Sequence, residues 1–266
     1  MSWTHYSLCY RLLSPLHVGY RKVGNLMQTR PYVPGKPLWA ALTARLTRDY
    51  DDGTDGQRYA EIGQQVQKYF RFTYLYSATQ NGNGYKIHYP WEDDFDYLFL
   101  HSYASTALDY TSQSAEDATL HETEFIAPHT RTGQPVYLIG DLFVATDLPT
   151  PLDQWQKALN KLQIGGERGY GWGRVRLVSC EAGEKSSSEP HVYVHRGRIT
   201  AHIVAQEGVA IQGPIEPLIG WERNNDPNRT SNWKLSDQAL ICYAPGATVS
   251  GNAVFPIDFY GIGKAP

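Results

Sequence analysis

The chain has 266 residues, 41% of them hydrophobic and 19% charged, which is enough apolar material for one large domain or two small ones and excludes a disordered chain. A formal net charge of −3 excludes a global basic field, so any hold on a polyanion must come from local clusters of Arg and Lys. Three scattered cysteines, Cys9, Cys180 and Cys242, form no CxxC pair, which argues against both a disulfide framework and a cysteine zinc site.

In chain order, Tyr6 to Leu13 is predicted as a strand, and Ser14 to Pro34 as a long loop carrying Gly19, Arg21, Lys22 and Arg30. Pro37 fits the first turn of a helix whose Leu38, Leu42 and Leu46 make an apolar stripe, with Arg45 and Arg48 pointing elsewhere. A second helix is expected over about 57–69. Strands at 72–76 and 85–89 flank the hairpin signal Asn81-Gly-Asn-Gly84. The acidic, then Ser/Thr-rich stretch 91–124 has the character of an insertion. A strand at 136–146 follows, then a helix from Thr150-Pro151 with Leu152, Trp155, Leu159 and Leu162 on one face, and a last strand at 174–179. This is the β-α-β-β-α-β order of a ferredoxin-like, α+β unit over 1–182, with an extra helix and an insertion at 91–124. A Lys185-Ser-Ser-Ser-Glu189 linker leads to a strand-rich part at 191–266. There Pro217-Leu-Ile-Gly220 and Tyr243-Ala-Pro-Gly246 echo Pro15-Leu-His-Val-Gly19 and Tyr32-Val-Pro-Gly35, short echoes that either chance or a degenerate duplication produces.

The densest chemical signal is Gly165-Gly-Glu-Arg-Gly-Tyr-Gly-Trp-Gly173. Glycines admit positive φ and close backbone approach, so successive N–H groups can converge on an anion; Arg168, Arg174, Tyr170 and Trp172 add charge and stacking faces. Interleaved cations and aromatics suit a nucleic-acid backbone with exposed bases. A tight turn with packed aromatics is the structural alternative. The loop lacks a Gly-Lys-Ser/Thr ending and leads into a strand, which disfavours ATP and NAD; no cofactor or metal is indicated. His191 and His195 share a strand face but lack a third ligand, and the acidic group Glu92 to Asp96 reads as surface. No leader pattern is evident, nor an apolar run near the ~18 residues of a membrane span, so a cytoplasmic protein is expected.

Three phrases in order, Ser14-Pro-Leu-His-Val-Gly19, Pro31-Tyr-Val-Pro-Gly-Lys-Pro-Leu38 and Ile164-Gly-Gly-Glu-Arg-Gly-Tyr-Gly-Trp-Gly-Arg174, resemble the RAMP superfamily of CRISPR effector subunits. The resemblance implies a ferredoxin-like, RNA-recognition-motif-like fold that holds CRISPR RNA within a type III effector complex. The implied partners are CRISPR RNA and target RNA, other RAMP subunits and the large subunit, with no membrane. It also implies that 124–133 is a hairpin facing RNA, making His129 and Arg131 contact candidates. Cleaving members carry an Asp in the first loop, whereas Ser14 to Pro34 has neither Asp nor Glu, which favours a binding or capping subunit. The RNA-binding set expected is His17, Gly19, Arg21, Lys22, Arg30, Arg45, Arg48, His129, Arg131, Gly165, Gly166, Arg168, Gly169, Tyr170, Gly171 and Arg174. Two other readings stay open: an endoribonuclease using His17 as general acid or base, and a carbohydrate or small-molecule module suggested by the Trp and Tyr content.

Overall fold

The computed structural model describes residues 2–51, 56–223, 233–235, 239–251 and 253–264. The first strand, β1 (Trp3–Leu12), sends Leu8, Tyr10 and Leu12 into the main core, while Ser7 and Arg11 face the other way, where Cys9 is buried in a small cluster with Ala78 and Tyr137. A hairpin follows, β2 (Gly19–Val23) and β3 (Leu26–Thr29), then helix α1 (Gly35–Tyr50) and helix α2 (Gly56–Tyr69). Next come β4 (Phe70–Phe72), β5 (Tyr76–Asn81), β6 (Gly84–Ile87), α3 (Phe95–Phe99), β7 (Leu100–Ser105), the short pair β8 (Leu108–Asp109) and β9 (Ser114–Ala115), and β10 (His121–Ile126). The unit ends with β11 (Tyr137–Ala145), α4 (Trp155–Leu159) and β12 (Val175–Ser186).

The main sheet runs β12-β1-β11-β5-β6, with β4 also paired to β11, and its neighbours are antiparallel. Helices cover one face, where Leu38, Leu42 and Leu46 of α1 and Trp155 and Leu159 of α4 share a core with the inward residues of β1 and β11. A second sheet of order β2-β3-β10-β7 stands beside it, with β3 and β10 parallel. Leu16 links the two, exchanging backbone hydrogen bonds with Ile126 in both directions at 3.0 and 2.9 Å.

Five expectations change. The stretch Ser14 to Pro34 is not one long loop: Gly24, at φ +61°, turns it into the β2–β3 hairpin, which finds pairing partners in β10. The 91–124 stretch supplies α3 and two strands of the second sheet, a role that its polar composition hides because β7 has exposed positions and β10 is largely half-buried. The strand expected at 72–76 breaks after Phe72, and β5 begins only at Tyr76, because Leu75 leaves the sheet to exchange hydrogen bonds of 2.9 Å with Val33. The 183–186 stretch is strand rather than linker, since Lys185 and Ser186 lie opposite Thr4 and Trp3. The helix from Thr150-Pro151 is shorter than its stripe suggests, a 3-10 turn at Leu152–Gln154 leading into α4.

Residues after 190 form short strands in small sheets, such as Ile203–Val204, Leu240–Tyr243 and Ile215–Leu218. No α-helix occurs among the described residues of this part. Its core of Val192, Ile199, Ile203, Phe255 and Ile257 is continuous with Tyr32, Tyr74 and Tyr76 of the preceding unit, so the two parts share buried surface. Gly35 at the start of α1 belongs to the same seam, because any Cβ there would strike the Tyr260 carbonyl. No described helix is long and apolar enough to cross a membrane.

Candidate nucleic-acid interface

The glycine loop lies where β1 ends. The Leu13 N–H donates to the Arg174 carbonyl at 2.9 Å, and the Arg174 N–H returns to Ser14 Oγ at 2.9 Å. Gly173 N–H donates to Pro15 O at 2.7 Å and Gly166 N–H to His17 O at 2.8 Å. The loop is thus laced along the segment 13–17 by backbone bonds. Two of its glycines are dictated by that contact. Gly165 (φ +84°) packs onto the His17 carbonyl and Gly173 (φ +73°) onto the Ile164 carbonyl, each so closely that no Cβ fits. Gly169 and Gly171 form the tip, where an added Cβ would meet nothing within 4 Å at either position.

This geometry revises the expected role of the amides. The N–H groups of Gly166, Tyr170, Gly171, Gly173 and Arg174 all donate within the protein, so they do not converge on an external anion. What the loop offers instead is side chains: Arg168 and Arg174 are exposed, and Tyr170 is 84% exposed at the tip. Trp172 is held edge-on against Phe125 of β10, ring centroids 5.0 Å apart, which fixes the loop against the second sheet.

His17 is 8% exposed, and its Nδ1 is 2.7 Å from the Glu124 backbone oxygen. A carbonyl only accepts, so Nδ1 carries the proton and a neutral ring keeps Nε2 as its one open position, beside Gly19. His17, Gly19, Gly165 and Gly166 are therefore brought together, with His17 acting as the strut between glycine loop and β10. Glu124 is the residue that the sequence reading missed. Its carboxylate accepts from Thr29 N–H at 2.9 Å, so a carboxylate absent from the first loop arrives from the neighbouring strand and is spent on holding β3. Only the parallel β3–β10 pairing reveals it, and nothing local in the sequence announces that pairing.

The remaining cations divide. Arg21 and Lys22 are exposed on β2, with Arg21 Nε hydrogen-bonded to Gln28 at 2.6 Å and its guanidinium 5.1 Å from the Tyr20 ring. Arg30 does not join them as a surface cation. It is ion-paired with Glu216 at 2.7 Å and bonded to Tyr32 Oη at 3.2 Å, because it sits in the seam with the C-terminal part. Arg45 is ion-paired with Asp49 one turn along α1, and Arg48 is exposed on the same helix; no hydrogen bond or ion pair joins either to the glycine loop. On the 128–135 turn, His129 is exposed and Arg131 is steered by Tyr97, whose carbonyl it meets at 2.7 Å. His195 stacks on Tyr89 at 4.6 Å, and no group of three potential metal ligands occurs among the described residues.

The family model described as the RAMP superfamily matches residues 9–176, from the middle of β1 to the start of β12. The chain belongs to the RAMP superfamily. The matched span includes the whole glycine loop and the His17 strut. Among solved structures, this RAMP chain is similar to a subunit in the cryo-EM structure of the type III-B Cmr-beta bound to cognate target RNA and AMPPnP. The TM-score is 0.53 at 11% identity, covering 91% of this chain and 85% of that one. A chain in the type III-B Cmr-beta bound to cognate target RNA gives a TM-score of 0.43 at 12% identity, covering 68% of this chain and 61% of the other. No curated protein matches this sequence.

Proposed function

We propose that this RAMP is a CRISPR RNA-binding, non-cleaving structural subunit of a type III effector ribonucleoprotein in antiviral defence. The observation that carries the reading is the glycine loop, pinned to the end of β1 by Gly165 and Gly173 while its tip holds Arg168 and Tyr170 out to solvent. A rigid base with a cationic and aromatic tip is what a backbone-tracking, base-stacking contact requires. The likeness over most of its length to a subunit of an RNA-bound Cmr complex supports the same setting. Strand order β12-β1-β11-β5 supports reading the first unit, 1–182, as ferredoxin-like, with 191–266 as its strand-rich companion.

A non-cleaving role is supported by two features: the first loop has no acid, and His17 is buried as a strut rather than presented. Arg21, Lys22, Arg131 and Arg174 complete the RNA-facing set, while other RAMP subunits and the large subunit are the protein partners. With a net charge of −3, affinity depends on these local cations and on neighbouring subunits, so isolated binding is weak. Co-expression with the genomic neighbours tests the reading. A co-eluting complex with a bound RNA of CRISPR-repeat sequence is expected. A monomer that ignores those neighbours, or that cleaves RNA and stops on His17→Ala, contradicts it.

A further inference from the structure

The face of the main sheet turned away from the helices carries a second basic feature. Arg11 of β1 and Arg176 of β12 are directly opposite in register. Both belong to the outward set, since Tyr10, Leu12, Val175 and Leu177 on either side of them pack into the helix-side core. Like charges placed directly opposite on antiparallel strands repel. Neither guanidinium has a hydrogen bond or ion pair among the described residues, and Arg11 Nε is buried with no partner. A buried donor left without an acceptor is destabilising. The acid on this face of β12, Glu181, is opposite Ser7, two pairs along beyond Cys9 and Ser179. Two residues before Arg176, about 6.5 Å along a strand, Arg174 is exposed where the strand meets the glycine loop. On the other flank of Arg11, β11 places Tyr137, whose ring meets the half-exposed Tyr85 at 4.7 Å.

We propose that Arg11 and Arg176 form a phosphate clamp on the open face of the main sheet, occupied by a backbone phosphate of RNA leaving the glycine loop past Arg174. A phosphate bridging the outer nitrogens of the two guanidiniums removes their repulsion, and planar guanidiniums bind it in forked fashion. The clamp itself stands on strand register and burial; only the identity of the phosphate as RNA rests on the proposed function.

The test uses the full chain and the variants Arg176→Gln, Arg11→Gln and the charge-keeping Arg11→Lys. Melting is followed in low-salt buffer, with inorganic pyrophosphate compared against chloride at matched ionic strength. The wild type is expected to melt higher with pyrophosphate; Arg176→Gln is expected to melt no lower than wild type without it and to lose the gain. An equal gain in wild type and Arg176→Gln overturns the clamp, whatever the protein does with RNA. In a second arm, binding of a single-stranded oligoribonucleotide is measured against salt. Each lost phosphate contact lowers the slope of log K on log salt by about 0.7, while Arg11→Lys keeps it. A pyrophosphate effect without any change in slope overturns the RNA assignment, as does displacement of the pyrophosphate effect by poly-glutamate with RNA binding intact, which assigns the clamp to an acidic protein partner. Failure of wild type to bind RNA at all counts against the proposed function, and the pyrophosphate arm still decides the clamp.

Discussion

Gly173 and Gly169 lie four residues apart in one loop and answer to different constraints. A side chain at Gly173 would enter the Ile164 carbonyl and would hold a φ of +73° that L-residues rarely take, whereas Gly169 faces open space. Gly173→Ala is therefore expected to lose several kcal/mol of stability or to fail to fold, and Gly169→Ala to stay within about 0.5 kcal/mol of wild type in urea unfolding. Equal effects of the two would mean that the loop does not dock as described. At the same scale, Tyr170→Ala removes an 84% exposed ring and should leave the melting temperature unchanged while weakening RNA retention, by about 1–3 kcal/mol if one base stacks on it. Residue chemistry alone conveys only part of this. The interleaving of charge and aromatics pointed to Arg168, Tyr170 and Arg174, which are exposed, but the direction of the amides was not legible, because Pro15 and His17, which accept from two of them, come from the far end of the chain.

Between elements, a polar cluster joins Arg30, just after β3, to the strand 215–218. Glu216 accepts from Arg30 and from His202 Nε2, while the Tyr74 hydroxyl lies 2.6 Å from His202 Nδ1. Burial alone would raise the Glu216 carboxyl, but the His202 hydrogen bond and the Arg30 charge outweigh it and hold it down, from an ordinary 4.5 to about 2. Burial, helped by Arg30, pushes His202 below its ordinary 6.5, so the neutral ring donates to Glu216 through Nε2 and accepts from Tyr74. Both shifts act in one direction. As pH falls below 6.5 the unfolded chain takes up a proton on His202 that the folded chain refuses, and between 4.5 and about 2 the same holds for Glu216. Stability is therefore expected to be full above pH 7 and to fall progressively on acidification, and Glu216→Gln should flatten the part of that fall below pH 4.5. A pH-independent unfolding free energy from 7 to 3 would contradict the pairing. Glu216→Ala leaves Arg30 in the seam uncompensated and should cost about 3 kcal/mol. None of this was legible beforehand: Arg30 read as a phosphate contact because the loop around it is basic, and its partner lies 186 residues away. The helices α1 and α2 were legible, since an apolar stripe at helical spacing needs no distant partner. The second sheet was not, because β7 and β10 carry alternating polar residues whose partners are each other and the β2–β3 hairpin.

The whole molecule is a helix-backed main sheet with a second sheet at one end and a strand-rich region sharing its tyrosine core. The order of the main elements followed from the sequence, and so did membership in the superfamily, through three phrases that now lie at the end of β1, the start of α1 and the glycine loop. On the proposed reading, RNA is met by Arg168, Arg174, Arg176 and Arg11, on a protein of net charge −3. Such a set binds a polyanion locally and needs neighbours for affinity. The central claim, that this chain serves as an RNA-holding subunit rather than an enzyme acting alone, is tested most directly by expressing it with and without its genomic neighbours and analysing the size-exclusion peak by mass spectrometry and RNA sequencing. The account predicts a large complex containing this chain, other RAMP subunits and a discrete CRISPR RNA, with little RNA on the chain expressed alone. A monomer that elutes identically in both cases and carries no RNA would contradict it.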